Sequence, residues 1–451
     1  MESVREMQGE LVPNCLSICT DSRTYLSGQM FVAIVGERFD AFKFAESILK
    51  KDCPCMVLQY SEEKTHKVTE LKKQYPSTLF IVCDDVELFL AELANRRIVE
   101  WKQQGGVVIG ITGSNGKTTH KEMLYHLFNS VFPNKVMATK GNFNNHFGVP
   151  FTILAIKDSD QYAIIEMGSN HPGEIKALAN ISLPDAGIIT NIGDSHLEFF
   201  LNRQNVFLEK RSLFDAISCS TSDKKLFVFN GEDPFLRTLE KYDWSLSFGG
   251  TGGDLATSYH PGKISVNGIE LSNSNLVGRH NFMNLACCYI LACRMIGHEN
   301  KLEEAARTFV PGMNRSELLE RGKSTLFLDA YNANPSSMEA SIRALLDDKI
   351  FSSNESLFVL GDMNELGDSA ESLHCQVGHF CSTIGISNII FVGRYAARYR
   401  DGWGKDAQVF ENTEELIKVW PDITANYSQI FIKGSRSLQL ESLADIKYYN
   451  E

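Results

Sequence analysis

The chain has 451 residues, 43% of them hydrophobic and 22% charged, with a formal net charge of −12. That length exceeds what one hydrophobic core organises, so several domains are expected, and the acidic balance argues against a nucleic-acid-binding protein, which needs a basic excess to neutralise phosphates. No apolar run approaches the ~18 residues that cross a bilayer, and Met1-Glu2-Ser3-Val4-Arg5-Glu6 lacks a charged-then-apolar signal layout, so a soluble, cytoplasmic chain without membrane insertion is expected. The eleven cysteines read as reduced thiols; Cys53-Pro54-Cys55 is too closely spaced for the usual zinc knuckle.

Residues 1–100 mix short strands and helices, at 30–35, 41–50, 56–60, 79–82 and 86–102, and Gln103-Gln104-Gly105-Gly106 reads as a linker. From 107 onward, strands at 107–112, 162–167, 186–192 and 226–230 alternate with helices after Gly116, Gly173 and Arg203. Such alternation predicts a parallel sheet covered on both faces, with ligands at the carboxyl ends of its strands. Residues 244–279 are less regular and predict short antiparallel strands, and a helix follows at 280–297. After a turn-like stretch at 311–324 a second alternation begins: strand 325–329, helix 337–346, strand 357–360, helix 370–382, strands 388–392 and 429–432, and a closing helix. The expectation is an α/β protein of three domains, 1–103, 104–313 and 314–451, the middle one built on a parallel sheet and the last a Rossmann-like α/β unit. Internal repeats and low-complexity tracts are absent from the sequence.

The densest chemical signal is Gly113-Ser114-Asn115-Gly116-Lys117-Thr118-Thr119, between the apolar run Val107-Val108-Ile109 and a helical stretch. A strand that runs through a glycine turn into a helix N-terminus presents backbone N–H groups and the helix dipole to an anion. Lys117 can reach terminal phosphates and the Thr118 hydroxyl can sit on Mg²⁺. The standard P-loop pattern needs glycine at 111, where this chain has Ile111, so the loop is a variant.

Further polar groups stand where strands end. Glu166 closes Tyr162-Ala163-Ile164-Ile165, where a carboxylate can hold a Mg²⁺ bound to nucleotide phosphates or simply be solvated. His196 lies in Thr190-Asn191-Ile192-Gly193-Asp194-Ser195-His196, and Lys210 fourteen residues further on reads by itself as a solvated helix lysine. Asn281 and Asn284, three apart at a helix start, share one face and suit either a purine edge or a helix cap. Asp329-Ala330-Tyr331-Asn332-Ala333-Asn334-Pro335 joins a strand-end carboxylate suited to ribose hydroxyls to a fixed polar loop. Arg315 precedes it as a bidentate phosphate donor. Leu360-Gly361-Asp362-Met363-Asn364-Glu365-Leu366-Gly367 is another strand and tight polar turn, and Lys433 with Arg436 reads as a carboxylate or phosphate clamp.

Taken together, the 113–119 loop, Glu166-Met167-Gly168, Thr190–Gly193 with His196-Leu197-Glu198, and His280-Asn281 with Asn284 resemble the Mur ligases along nearly the whole chain. These are ATP-dependent amide-forming enzymes of peptidoglycan precursor synthesis. The 329–335, 360–367 and 433–436 motifs, with Thr20-Asp21-Ser22-Arg23, are similar to those of the member that adds D-alanyl-D-alanine to UDP-N-acetylmuramoyl-tripeptide. The resemblance implies a UDP-substrate-binding first domain, a central P-loop ATPase domain, and a third domain that closes over ATP and binds the dipeptide. It implies an acyl-phosphate intermediate and two Mg²⁺ ions, with Thr118 and Glu166 on one ion and His196 on the second. It also implies a CO₂-carbamylated Lys210, which requires a neutral amine and hence a pKa lowered by burial or nearby cations. Lys117, Glu166, His196 and Lys210 would be catalytic. The nucleotide would be held by Gly113–Thr119, with Asn281 at adenine, Asp329 at ribose and Arg315 at phosphate. Ser22, Arg23, Asn332 and Asn334 would contact the other substrates, and a monomer is expected.

Two places depart from the family pattern. The usual glycine before the Arg315-type arginine is Asn314, and the expected Asp-Gly-His-x-Phe of the first domain reads Asp40-Ala41-Phe42-Lys43-Phe44. A sibling ligase would share the central motifs, but the Asp-Asn-Pro-Arg motif of the diaminopimelate- or lysine-adding member is absent. A nucleotide-binding regulator without catalysis would be expected to lack Lys117, Glu166, His196 or Lys210, and all four are present.

Overall fold

Val107–Thr112 is buried at every position, without alternation. That is the burial of a strand covered on both faces, as parallel strands in α/β units are. In the computed structural model, which describes residues 3–8, 17–36, 39–250 and 252–449, this strand is the pivot of a six-stranded sheet. The sheet order is Ser245–Phe248, Leu226–Asn230, Ala186–Ile189, Val107–Thr112, Tyr162–Glu166, Val136–Ala138. All neighbours pair in parallel. From the pivot the chain steps first towards one edge and then returns to the other side. The crevice between Thr112, Glu166 and Ile189 is therefore the topological switch point, where open α/β sheets bind ligands.

One face of this sheet packs on helices Lys117–Val131 and Arg279–Ile296, with Leu124, Phe128, Phe282 and Leu285 in the core. The other packs on Glu174–Ser182 and Arg203–Cys219, through Leu178, Leu213 and Ile217. The antiparallel strands expected in 244–279 are Thr257–His260, Lys263–Val266 and Ile269–Ser272. Ser245–Phe248, by contrast, extends the parallel sheet.

A first sheet of five strands precedes it, ordered Val4–Gln8, Leu79–Cys83, Cys55–Gln59, Met30–Ala33, Ile18–Cys19, of which only the Val4–Gln8 strand is antiparallel to its neighbour. Helix Val86–Gln103 joins the two bodies. Val86, Phe89 and Leu90 belong to the core of the first sheet, and Ala94, Ile98 and Trp101 to that of the central one. The expected linker is the short turn after this helix, with Gly106 seated against the Trp101 ring.

The last sheet orders Glu317–Arg321, Ser324–Asp329, Gln429–Lys433, Leu357–Gly361, Asn388–Val392, Gln408–Phe410. Its two faces carry separate cores, around Phe327, Phe358 and Phe431 on one side and Leu326, Val359 and Ile432 on the other. Two expectations fail here. The turn-like 311–324 contains an antiparallel strand, Glu317–Arg321, paired with Ser324–Asp329. The closing helix is instead three short 3₁₀ turns, Arg436–Leu438, Leu440–Ala444 and Ile446–Tyr448. Helices Ala396–Trp403 and Thr413–Thr424 were not expected at all. No disulfide joins the ten described cysteines; Cys15 lies outside the described residues. Among the described residues no helix is long and apolar enough to cross a membrane.

Candidate active site

The switch-point crevice opens into a cavity of about 870 Å³, walled by the central sheet on one side and by Arg315, Asp329, Tyr331, Asn332, Ser336 and Glu365 of the last sheet on the other. The 113–119 loop forms its floor. Gly113 has φ +143°, and a Cβ there would lie 1.9 Å from Thr190 Oγ1, so only glycine fits. Gly116, at φ +78°, turns the chain into helix Lys117–Val131. The loop is clamped by the strand-end segment beside it. Ser114 N donates to Asn191 O (3.0 Å), Asn115 N to Asn191 Oδ1 (3.1 Å), Thr190 Oγ1 to Asn115 O (2.6 Å) and Gly193 N to Ser114 Oγ (2.9 Å). The Ser114 and Asn115 amides are thus spent on the clamp. The amides of Lys117, Thr118 and the buried Thr119 belong to the first helical turn, which has no intrahelical acceptors and is left for an anion. Lys117 curls back to donate to Gly113 O (2.7 Å). Burial lowers its pKa and nearby Glu166 partly offsets this.

Glu166 stands across from the loop. Its Oε1 accepts from Asn144 Nδ2 (2.8 Å) and Thr118 Oγ1 (3.2 Å). Its Oε2 is buried without a hydrogen-bond partner, and the nearest cation, Lys121 Nζ, is 3.9 Å away. A buried carboxylate oxygen left bare beside a threonine hydroxyl and an anion cradle fits a divalent cation, since Mg²⁺ takes one or two carboxylates and fills its shell with water and substrate phosphates. Among the described residues no cluster of three His, Cys, Asp or Glu side chains could hold a metal by itself.

Lys210 is fully buried on helix Arg203–Cys219 and donates to Ser169 Oγ (2.6 Å). Burial, reinforced by the Lys117 cation, lowers its pKa to about 7, so a neutral amine is accessible at physiological pH. His196 has left-handed backbone (φ +51°), and its Nδ1 lies 2.7 Å from Glu365 Oε2. The carboxylate of Glu365 is held below its usual range by this contact.

The far wall is built on the strand end at Asp329. Burial alone would raise this carboxyl, but Lys433 Nζ at 2.6 Å and the Ser341 hydroxyl at 2.8 Å hold it below its usual value. Lys433 also donates to Asn332 O (3.0 Å) and is itself buried. It is not half of an open clamp with Arg436, as the sequence suggested. Arg436 instead shares the Tyr331 ring with Arg315, their guanidinium carbons standing 5.3 and 3.6 Å from its centroid. Asn314 has φ +59°. The position takes left-handed backbone, which asparagine adopts more readily than most non-glycine residues, and Arg315 next to it lines the cavity. Asn281 anchors its amide on Val277 O (2.8 Å) and, with Asn284 and His280, lines the cavity. Asn334 caps helix Pro335–Asp347 and exchanges amide hydrogen bonds with Asn115 across the cavity mouth.

Ser22 and Arg23 do not line this cavity. They sit with the first sheet, where Arg23 forks onto Asp21 at the surface. Within the departed 40–44 segment, Asp40 caps Phe42 N and pairs with Lys64. Ser169 and Asn144 carry no signal in the sequence, whereas Glu365, Asp329 and Lys433 each lie in a recognised motif; what no local pattern encodes is the partnerships, which span wide sequence separations.

The Mur ligase middle-domain family model matches residues 111–292, and the model described as Mur ligase, glutamate ligase domain matches residues 314–436. UDP-N-acetylmuramoyl-tripeptide–D-alanyl-D-alanine ligase of Bacillus subtilis (strain 168) is 30% identical, over 94% of this chain and 92% of that protein. The enzyme of the same name from Escherichia coli (strain K12) is 26% identical over 95% and 92%. Among solved structures, MurF from Acinetobacter baumannii superposes with a TM-score of 0.82 at 27% identity, covering 95% of this chain and 93% of that one. MurF ligase from Thermotoga maritima in complex with ADP has the same fold, with a TM-score of 0.80 at 24% identity and coverage of 96% and 97%.

Proposed function

Since the chain belongs to the Mur ligase family, we propose that it is an ATP-dependent carbon–nitrogen ligase that joins D-alanyl-D-alanine to UDP-N-acetylmuramoyl-tripeptide, completing the pentapeptide precursor of peptidoglycan. A carboxylate oxygen of the tripeptide attacks the γ-phosphorus of ATP and ADP leaves. The dipeptide amine then attacks the carbonyl carbon of the acyl phosphate, and phosphate leaves with the C–O electron pair. The amine's proton passes to solvent or a nearby base.

The observation that carries this reading is the convergence in one cavity of a free helix N-terminus, Lys117 and the bare Oε2 of Glu166, with the neutralisable Lys210 buried behind it. In this reading the first-turn amides and Lys117 orient the triphosphate, and Arg315 reaches it from the last sheet. Asn281 faces adenine. Asp329, already fixed by Lys433, accepts from ribose hydroxyls with its remaining lone pairs. Thr118 and Glu166 would hold one Mg²⁺ and His196 a second. When bound, the ions would neutralise charge on the transferring phosphoryl group. Lys210, as the neutral amine, takes up CO₂ to give a carbamate and a proton, which converts a cation into an anionic, carboxylate-like group. Asn332 and Asn334 border the path of the acceptor, and Ser22 and Arg23 lie towards the uridine end, on the first unit. Units at 1–103, 104–313 and 314–451 follow, with Asn314 and Ser316, both at positive φ, at the last junction. A cytoplasmic monomer is consistent with soluble nucleotide-linked substrates.

The decisive experiment is phosphate release with ATP, Mg²⁺ and UDP-N-acetylmuramoyl-tripeptide, with and without D-alanyl-D-alanine, beside Lys117→Ala. Release that requires the dipeptide and vanishes in the variant is expected. Release driven by a free amino acid instead would move the chain to a sibling step.

A further inference from the structure

The 360–367 motif takes no part in the chemistry above, yet its turn presses on the segment that carries His196. Glu198 N approaches Glu365 O at 3.4 Å, and a Cβ on Gly367 would stand 2.9 Å from Glu198 Cα. The two residues that meet there, His196 (φ +51°) and Glu365 (φ +62°), both have left-handed backbone. Non-glycine residues adopt it rarely and keep it only where the surroundings impose it. Each side of the contact is therefore held in shape by its surroundings.

At the contact, Glu365 Oε2 lies 2.7 Å from His196 Nδ1. A carboxylate oxygen that close to a bare ring lone pair would be repelled, so Nδ1 carries a proton. The oxygen stands off the line of that N–H, and the nitrogen has no aligned hydrogen bond. The contact is thus a close approach of carboxylate to ring nitrogen rather than an aligned hydrogen bond. A neutral imidazole protonated on Nδ1 keeps its lone pair on Nε2. Carboxylates that accept from the distal nitrogen of a metal-binding histidine fix its tautomer and orientation, and their loss typically weakens metal binding about 10–100-fold.

We propose that Glu365 is a positioning residue: a carboxylate supplied by the last unit that fixes the Nδ1–H tautomer of His196 in the central unit, freeing Nε2 for a cation when the two units are together. The inference rests on the reading of His196 as a cation ligand. It ties the unit expected to bind the dipeptide to the readiness of the phosphoryl-transfer centre. An open molecule would leave the ring free to adopt the other tautomer and to rotate.

The test uses the full-length, metal-free chain labelled with ¹⁵N-histidine, at a pH where the ring is neutral, with the His196 signals assigned by their loss in His196→Gln. The wild type is expected to show an N–H-type Nδ1 and a lone-pair-type Nε2. Glu365→Ala should shift the balance towards Nε2–H. Glu198→Ala, which removes a neighbouring carboxylate but not this contact, should leave the balance alone. In phosphate release, half-saturation by Mg²⁺ should rise by about 10-fold or more in Glu365→Ala. A wild-type His196 found as Nε2–H overturns the proposal even if Glu365→Ala does not fold. So does an unchanged tautomer in a folded Glu365→Ala, or a shifted tautomer with an unchanged Mg²⁺ requirement. The tautomer is read without turnover, so a chain that fails to ligate any acceptor would count against the proposed function and not against this contact.

Discussion

At the scale of single residues, the sharpest consequence of the fold is the state of Lys210. A lysine on a helix written Phe207-Leu208-Glu209-Lys210-Arg211 gives no local sign of burial. Its side chain nevertheless enters the interior, where burial and the Lys117 cation lower its pKa to about 7. The unfolded chain keeps an ordinary lysine, near 10.5. Below pH 7 both states are charged and the folded state bears the full cost of the buried ammonium. Between pH 7 and 10.5 the unfolded state binds more protons than the folded one, so this residue's penalty shrinks as pH rises. Lys210→Met carries no such penalty. Thermal midpoints in CO₂-free buffer should therefore show the variant's advantage over wild type largest near pH 7 and narrowed by pH 9.5. A gap that does not change with pH would mean that the lysine is not held neutral by its surroundings. The same low pKa is what the proposed CO₂ addition requires, so a pH-dependent gap would also support the neutral amine on which that proposal depends.

At the scale of elements, helix Val86–Gln103 shows both what pattern reading captures and what it misses. Its span was legible because Asp85 supplies a cap and apolar residues recur at helical spacing. That its two ends serve different cores was not, because both ends look equally amphipathic. Trp101 closes the central end: its ring is buried against Gly106 and its Nε1 donates to Asp160 O at 3.0 Å. Trp101→Ala should cost about 3–5 kcal/mol, read as a lower urea midpoint of the transition that includes the central sheet. A loss under about 1 kcal/mol would show that the helix is dispensable there. The strand–turn–helix form of 113–119, the strand-end place of Glu166 and the alternation of the last unit were legible for a related reason: in each, a local run of residue types meets its own structural need. Glu317–Arg321 was not. Its sequence Glu317-Leu318-Leu319-Glu320-Arg321 is charged and half-exposed, and it becomes a strand only because Ser324–Asp329 offers it an edge. Thr413–Thr424 was obscured by Pro421 inside it. The closing segment breaks into 3₁₀ turns, in which Leu440 and Leu443, three apart, reach the core on one face of the last sheet. The Asp329–Lys433 pair spans 104 positions, a separation at which sequence shows two charges but not their union.

At the scale of the whole molecule, the central and last units also touch, beyond the Glu365–His196 contact, at two places of different character. Away from the cavity mouth, Asp348 accepts from Tyr259 Oη (2.6 Å) and Gly278 N (3.1 Å), and a Cβ on Gly278 would meet Ala344 Cβ at 2.2 Å. This is a packed contact with a charge-assisted hydrogen bond, suited to a pivot. At the cavity mouth the link is made by neutral amides and hydroxyls: Asn334 Nδ2 to Asn115 Oδ1 (2.6 Å), Asn115 Nδ2 to Asn334 Oδ1 (3.4 Å) and to Ser336 Oγ (3.2 Å). Each such bond contributes a net ~0.5–1.5 kcal/mol, so the mouth is held by an energy that binding of a nucleotide or acceptor can outweigh. A ligase that must admit two large substrates, exclude water from an acyl phosphate and release product needs a contact of about that strength. Asn334→Ala removes the direct amide exchange together with a helix cap worth ~1 kcal/mol. Loss of about 1.4 kcal/mol of latch energy alone shifts the ratio of closed to open molecules tenfold. Small-angle scattering of the ligand-free variant should then give a larger radius of gyration than wild type, and saturating nucleotide should narrow the difference. Identical scattering with and without the substitution would place the hold on the molecule at the Asp348 pivot and leave the amide exchange without a part in closure. Glu365 and His196 line the same cavity as Asn115, so an opening that parts Asn115 from Asn334 is expected to withdraw the carboxylate from the histidine as well, and the scattering difference and the proposed tautomer shift should then appear together.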